Sequence, residues 1–358
     1  MNEVQDRIDA YNSAEQVGRC QVPNIAIQAF GLEAFSSVGY PFRISHASEL
    51  WRYHDVMQDG RLALNFDLLD SVGGLDDLKV VRQAATALVD FSHRRFGFAS
   101  AGKDMLSRAC YQYALLCRTL STHPRPWTIL EVGPGCGYLG LLLGLAGHRY
   151  IALEASQAMY VYQSSLFADV FADEYENGLS GSSNSRISHL AWWDFCSEGR
   201  ALPRLTGATA NHMIAEMNKL GLRHLLRRLH TSQSDGFQLL AESLGAQHVN
   251  SYIPVLQNVV EGGFAATETH ATGVWVFTKT NGSRSISYLP VALRRKLRAK
   301  VSTYGLGDRI LRVTDRLMNA AEKESEGGAP SLQSAIRKLF AEFPDLECAD
   351  SRFKAGRW

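Results

Sequence analysis

The stretch Thr128–Gly140, TILEVGPGCGYLG, decides the fold of this chain. Its apolar start has the character of a buried strand, and the glycines that follow mark a turn that leads into a helix. A second apolar run, Tyr150–Leu153, comes next and stops at Glu154. A strand, a glycine-rich turn, a helix, a second strand and a closing acid together predict a pocket of the nucleotide-binding type at the open end of a parallel sheet.

Short apolar segments alternate with helical segments from residue 125 to residue 282, which indicates an α/β domain. The last two of the expected strands are separated only by the residues THAT, a connection too short for a crossover helix. These two strands are therefore predicted to pair antiparallel. The predicted fold class is α/β, a Rossmann-like seven-stranded sheet with a C-terminal antiparallel hairpin. The expected strands are Thr128–Val132, Tyr150–Leu153, Ile187–Leu190, Ala208–Met213, Phe237–Ala241, Phe264–Glu268 and Gly273–Thr278.

Two regions of different character flank this domain. Residues 1–124 show helical apolar spacing, clearest in Leu75–Phe91 and Met105–Leu120, and predict a mostly helical N-terminal region that could cap a substrate cleft. Residues 283–358 predict a helical C-terminal extension, with one helix over Val291–Met318 and a last short helix over Ser331–Phe343. We therefore expect one α/β domain with helical additions at both ends.

The composition of the 358 residues, with 46% hydrophobic and 20% charged side chains, is that of an ordinary globular protein. The 37 basic and 36 acidic side chains leave a net charge of +1, which argues against nucleic acid or an anionic membrane as a partner. The polar N-terminus differs from a signal peptide, and no run reaches the ~18 apolar residues of a membrane span. The six cysteines form no CxxC pair, so neither a disulfide framework nor a zinc site is predicted. We expect a cytoplasmic protein, and a homo-oligomer remains open.

The glycine loop is compatible with more than one ligand. Gly135, Gly137 and Gly140 match the GxGxxG pattern of dinucleotide-binding folds, but that match alone is weak. In the wider string, Glu131 precedes glycines at every second position, beginning with Gly133, and glycine lets a ligand approach the main-chain N–H groups closely. A carboxylate at this point suits a cationic amino or sulfonium ligand better than a diphosphate.

Glu131 and Glu154 together therefore point to S-adenosylmethionine (SAM), which carries an ammonium group and a ribose diol. Glu154 lies about 20 residues beyond the loop, a spacing that suits acceptance of hydrogen bonds from two ribose hydroxyls. A tight turn that binds no ligand and a site for a nicotinamide or flavin cofactor are the alternatives.

The motif ExGxGxG, the acid that ends the next strand and the terminal hairpin resemble those of class I SAM-dependent methyltransferases over about residues 126–280. The resemblance implies that Gly133, Gly135 and Gly137 face the methionine part of the cofactor. It also implies that Glu154 holds the ribose of the cofactor.

The sequence HLAWWDF, which ends at Phe195, begins within the third expected strand and continues into the loop after it. In the fold that the resemblance implies, this loop covers the adenine, and Asp194 would accept a hydrogen bond from the adenine amino group. Trp192 and Trp193 could stack on the purine or wall off the substrate, since indole offers a large flat surface. Packing in the core is the alternative for both tryptophans. His189 lies inside the strand pattern, where a buried core histidine is at least as good an interpretation as a catalytic one.

The sequence ANHMIAEMN, residues 210–218, lies at the carboxyl end of the fourth expected strand, where α/β sheets place their chemistry. Asn211 and His212 are expected to border the transferred methyl group, and Asn211 is assigned to the cofactor site. If a helix begins here, His212 and Glu216 lie on one face of it. We predict His212 as the general base, because its ordinary pKa of about 6.5 suits that role, and Glu216 as the group that orients it. A helix N-terminus with polar caps is the alternative.

The motifs HxxWWDF and ANHxxxEMN together resemble those of a bacterial family of sugar O-methyltransferases. This resemblance predicts a SAM-dependent enzyme that methylates a hydroxyl of a small polar acceptor, such as a sugar-like or natural-product intermediate. N-methylation of an amine-bearing metabolite and a non-catalytic binding protein of the same fold are the alternatives. No carboxylate–histidine ligand set is evident, so no metal is predicted.

Overall fold

The structure is a computed structural model in which one sheet carries helices on its faces. The helix expected over Val291–Met318 and the side chain of His212 lie outside the described residues. The described residues are 2–31, 43–50, 69–72, 75, 78–97, 102–179, 185–197, 201–211, 213–214, 216–232, 238–242, 258–269, 274–280 and 331–346.

The sheet has the order β3-β4-β2-β1-β5-β6-β8-β7 in the described part of the chain. Its first six strands pair parallel, and β8 pairs antiparallel with both β6 and β7. The predicted α/β class, parallel sheet and terminal antiparallel hairpin are therefore confirmed. The strands are β1 (Thr128–Val132), β2 (Arg149–Glu154), β3 (Tyr175–Glu176), β4 (Ile187–Ala191), β5 (Gly207–Ala210), β6 (Gln238–Glu242), β7 (Phe264–Thr269) and β8 (Val274–Lys279).

Two details of the predicted sheet are wrong. The described strands number eight instead of seven, because the two-residue strand β3 pairs with the start of β4 at the sheet edge. Two residues are too few to produce a recognisable apolar alternation. The fourth expected strand is also shorter than predicted, since β5 ends at Ala210 and Asn211 already lies in a turn.

Helices surround the sheet on both faces. Serine caps begin two of them: the Ser156 hydroxyl accepts from the Met159 N–H, and the Ser331 hydroxyl accepts from the Ser334 N–H, the latter at the start of the predicted last helix. The described helices are α1 (Asn2–Gln21), α2 (Asn24–Phe30), α3 (Leu78–Phe96), α4 (Lys103–Thr119), α5 (Tyr138–Leu145), α6 (Gln157–Phe171), α7 (Trp192–Cys196), α8 (Lys219–Thr231) and α9 (Leu332–Phe340), with short 3-10 turns at Ala47–Glu49, Leu69–Val72, Ala172–Glu174 and Pro344–Leu346.

The N-terminal helices belong to the same hydrophobic core as the sheet. Helix α4 is buried on all sides from Met105 to Cys117, and it packs on α5, the helix that follows β1. Helix α1 packs on α6 and α7, which follow β2 and β4. The carboxyl edge of β2 and β4 is therefore covered by α1. The domain boundaries at residues 124 and 282 stay predictions. No helix among the described residues combines the length and apolarity needed to cross a bilayer.

Candidate functional site

The glycine loop joins the carboxyl end of β1 to the start of α5. Gly133, Gly135 and Gly137 have φ angles of 66°, 60° and 76°, a region that residues with a side chain rarely adopt. The Gly133 N–H donates to the carbonyl oxygen of Leu153, near the end of β2, at 2.9 Å. The three glycines predicted to bind the cofactor thus form one turn whose conformation depends on the absence of side chains.

The loop is packed from two sides. A Cβ at Gly133 would lie 2.5 Å from Cγ of Met213, which follows β5. A Cβ at Gly137 would lie 2.9 Å from the ring of Phe167 and 3.0 Å from Cγ of Gln163, both on α6. The segment after β5 and helix α6 therefore both approach the glycine loop within van der Waals contact.

The structure brings the two predicted carboxylates, Glu131 and Glu154, into one buried site. Glu131 pairs with Ala152 in the register of β1 and β2, and residues 152 and 154 point to the same face because strand side chains alternate. The exposed fractions of Glu131 and Glu154 are only 3% and 7%. Burial raises the pKa of Glu154 to about 7, and burial together with repulsion from Glu154 raises the pKa of Glu131 to about 8.

Three groups partly offset the effect of burial on the pKa of Glu131. The Tyr150 hydroxyl donates to its Oε2 at 2.6 Å, and a hydrogen bond from Asn211 also lowers its pKa. The charge of Arg108, a buried residue of α4, acts in the same direction. Asn211 also donates to Thr209, which lies opposite Glu131 in the register of β1 and β5. Asn211, predicted at the cofactor site, is thus beside Glu131.

Main-chain and side-chain donors hold Glu154. The Ser156 N–H donates to Oε1 at 2.8 Å, and the Gln163 amide donates to Oε2 at 3.1 Å. The main-chain N–H groups of Ala155 and Gly135 also favour the charged form and oppose the effect of burial on the pKa. The carboxylate predicted to hold a ribose is therefore fixed in place and lies next to the glycine loop.

Sequence reasoning missed Gln163, which contacts both halves of this site. Its amide nitrogen is 2.6 Å from the Gly135 carbonyl oxygen as well as 3.1 Å from Glu154. Its amide oxygen lies 2.9 Å from Nε2 of His189, whose Nδ1 is 3.1 Å from the hydroxyl of Tyr175. Burial lowers the pKa of His189 to about 3. Of the two interpretations of this histidine, the structure therefore favours the buried, neutral core residue.

The two tryptophans after β4 pack against α1. Trp192 is fully buried, and its indole N–H donates to Glu15 at 3.1 Å. Trp193 is 4% exposed, its ring lies edge-on to Tyr11 at a centroid distance of 5.4 Å, and a Cβ on Gly18 would overlap its indole. Both tryptophans belong to the hydrophobic core, which was the alternative to purine stacking. A contact of Trp193 with adenine stays a prediction.

The other predicted residues are placed as follows. Asp194 is half-buried in α7, and its carbonyl oxygen accepts from the Ser197 N–H. Glu216 is half-buried in a turn, where its N–H donates to the Met213 carbonyl. The roles predicted for Asp194 and Glu216 stay predictions. No group of three or more His, Cys, Asp or Glu side chains in the described ranges is arranged to hold a metal ion.

The helix expected near His212 begins only at Lys219. Asn218 caps it, since its side chain accepts from the Gly221 N–H at 2.9 Å and donates to the Gln28 carbonyl of α2. Glu216 therefore precedes the helix, and the argument that it shares a helical face with His212 is wrong. The catalytic roles of both residues stay predictions.

Neither protein-family models nor curated protein sequences match this chain. Similar solved structures include a TehB-like SAM-dependent methyltransferase from Corynebacterium glutamicum, at 13% identity over 46% of this chain and 86% of that chain, with a TM-score of 0.35. They also include magnesium protoporphyrin IX methyltransferase from Synechocystis with bound SAM, at 12% identity over 58% of this chain and 99% of that chain, with a TM-score of 0.38. A glycopeptide N-methyltransferase complexed with S-adenosylhomocysteine (SAH) shares 16% identity over 51% of this chain and 91% of that chain, with a TM-score of 0.36. Similarities this low assign no activity to this chain, whose function must be argued from its own site.

Proposed function

We propose that this protein is a SAM-dependent methyltransferase of the class I type. The observation that carries the proposal is the buried pair of Glu131 and Glu154 beside a turn of three left-handed glycines, at the carboxyl edge of β1 and β2. Parallel α/β sheets place their ligand sites at this edge. The parallel sheet with a terminal antiparallel hairpin agrees with the sequence resemblance.

The charges of the site favour a cationic ligand. Two buried carboxylates repel each other, and an ammonium or sulfonium group nearby would reduce that repulsion. The diphosphate of a nicotinamide or flavin dinucleotide would increase it. In this proposal, the glycine loop and Glu131 face the methionine part of SAM, and Glu154 accepts from the ribose hydroxyls.

For the acceptor, we propose a hydroxyl of a small polar molecule, such as a sugar-like or natural-product intermediate. The support is the sequence resemblance of residues 189–195 and 210–218 to sugar O-methyltransferases, and the contact of Met213 with the glycine loop. Bound SAM would supply an electrophilic methyl group. His212 would take the proton of the acceptor hydroxyl as its oxygen bonds to the methyl carbon, while the methyl–sulfur bond of SAM would break and leave SAH. Glu216 would orient the imidazole. Asp194 and Trp193 would border the adenine.

Calorimetric titration of the full chain with SAM, SAH and NADH tests the cofactor. We expect binding of SAM and SAH that Glu154→Ala abolishes and that Asp173→Ala leaves unchanged, since Asp173 is an exposed acid beyond the end of α6. Binding of NADH without binding of SAM or SAH would contradict the proposal. Transfer of a labelled methyl group to a panel of hydroxyl and amine acceptors then tests the acceptor, and His212→Ala is expected to lose transfer while it still binds SAM.

A further inference from the structure

Gln163 connects two parts of the site that are distant in sequence. Its side chain is fully buried in the second turn of α6. The amide nitrogen lies 2.6 Å from the Gly135 carbonyl oxygen and 3.1 Å from Oε2 of Glu154. A side-chain amide has two N–H hydrogens, so each of these acceptors can receive one of them. A single side chain therefore links the glycine loop to the carboxylate at the end of β2.

Gly135 and Glu154 allow only one orientation of this amide, because each presents an acceptor to it. The amide oxygen of Gln163 can only accept, so Nε2 of His189 at 2.9 Å must carry the hydrogen. The neutral ring then has an acceptor at Nδ1, which receives the Tyr175 hydroxyl at 3.1 Å. A flipped amide would set its oxygen against the Gly135 carbonyl oxygen and the Glu154 carboxylate, which are both acceptors. Each such clash would leave a buried polar group without a partner.

The strand that the sequence did not predict supplies the end of this chain of hydrogen bonds. Tyr175 lies in β3, which pairs with Ile187 and Ser188 of β4. His189 is the next residue of β4, and its ring also contacts Tyr160 and Phe167 of α6. The short edge strand thus brings the Tyr175 hydroxyl to the imidazole that faces Gln163.

We propose that Gln163 is a positioning residue for the cofactor site, and that a hydrogen bond from His189, which Tyr175 supports, holds its side chain in place. It fixes the distance and the angle between the glycine loop and the Glu154 carboxylate. Because the Glu154 carboxylate is already fixed, it accepts hydrogen bonds from the ribose hydroxyls without losing rotational freedom on binding. This improves the affinity for SAM and SAH. The inference rests on the proposed function, because it assigns Gln163 a role in binding SAM and SAH.

Calorimetric titration of the full-length protein with SAH tests the role of Gln163. The variant Q163M keeps the length of the side chain and removes its hydrogen bonds, and we expect SAH to bind about tenfold or more weakly. The matched control is S165A, because Ser165 is equally buried on α6 and its hydroxyl donates to the Val161 carbonyl within the helix. We expect S165A to bind SAH within about twofold of the wild type.

A second pair of variants separates positioning from stability. Q163M leaves the His189 N–H without its acceptor and should lower the Tm, whereas Q163M/H189F removes that N–H and should recover much of the Tm. Positioning by Gln163 requires that SAH affinity stays weak in the double variant. Recovery of the affinity together with the Tm would overturn the proposal, because Gln163 would then act only on stability. If Q163M does not fold, the double variant carries the same test.

The support that Tyr175 gives to Gln163 through His189 is tested by Y175F, which removes one hydroxyl and keeps the aromatic ring. We expect a loss of SAH affinity of a few-fold in the wild-type background and none in the Q163M background, because Tyr175 acts through Gln163. Equal losses of SAH affinity in the wild-type and Q163M backgrounds would refute the idea that Tyr175 acts through Gln163. The two proposals fail differently: a wild-type protein that binds no SAH removes the cofactor assignment, whereas equal binding by the wild type and Q163M removes only the role of Gln163.

Discussion

Gly137→Ala tests whether the glycine loop needs the close approach of α6. Gly137 has a φ of 76°, and an added Cβ would lie 2.9 Å from the Phe167 ring and 3.0 Å from Cγ of Gln163. The left-handed backbone costs an alanine about 1–2 kcal/mol, and forcing an extra methyl group into a packed site costs a further 1–3 kcal/mol, roughly. We therefore expect the free energy of unfolding to fall by about 2–5 kcal/mol.

Gly147→Ala is the matched control for this variant. Gly147 has nearly the same backbone conformation, with a φ of 81°, but an added Cβ would have nothing within 4 Å. Its loss should be limited to the backbone cost of about 1–2 kcal/mol. The assays are urea unfolding of both variants and calorimetric titration with SAH, which Gly147→Ala should bind normally. Equal losses of stability in the two variants, or unimpaired SAH binding by Gly137→Ala, would refute the reasoning.

Two further predictions concern the buried carboxylates. Because the folded-state pKa values of Glu131 and Glu154 are raised to about 8 and about 7, the protonated acids stabilise the free protein at low pH, and this stability is lost as the pH rises through these values. The Tm of the free protein should fall between about pH 4.5 and about pH 8, less steeply in Glu131→Gln, while the affinity for SAM rises. A Tm and a SAM affinity that are both independent of pH would contradict the assignment. Tyr150→Phe removes the hydroxyl that donates to Glu131, so the pH dependence of SAM binding should move upward, and an unchanged calorimetric profile would count against that hydrogen bond.

The sequence predicts those parts of the fold that carry a local pattern. The strands β1 and β2 are mainly apolar and buried, and the positive φ angles of Gly133, Gly135 and Gly137 agree with a motif of regularly spaced glycines. Strand β3 has only two residues and gains its place from pairing with β4. Its position therefore depends on the rest of the sheet and leaves no pattern in the sequence.

The parts that were missed depend on contacts between distant residues. The start of α8 is set by Asn218, whose amide bonds to Gln28 of α2, 190 residues earlier in the chain. The link from Gln163 to His189 joins a helix to a strand 26 residues later, so it depends on how α6 packs against the sheet. Neither pairing follows from residue type or from helical or strand periodicity.

The electrostatics of the site give the strongest restriction on its ligand. Tyr150 and Arg108 lower the pKa of Glu131, and Ser156 and Gln163 lower that of Glu154, yet both pKa values stay well above the ordinary range. Burial therefore outweighs every donor that the protein supplies, and strongly shifted acids are typical of functional sites. A bound cation would favour the ionised acids, and by linkage its own affinity must rise as they lose their protons. A ligand with an ammonium group and two vicinal hydroxyls would interact favourably with both carboxylates. A dinucleotide would interact favourably only with Glu154, through its ribose, and its diphosphate would be repelled by Glu131.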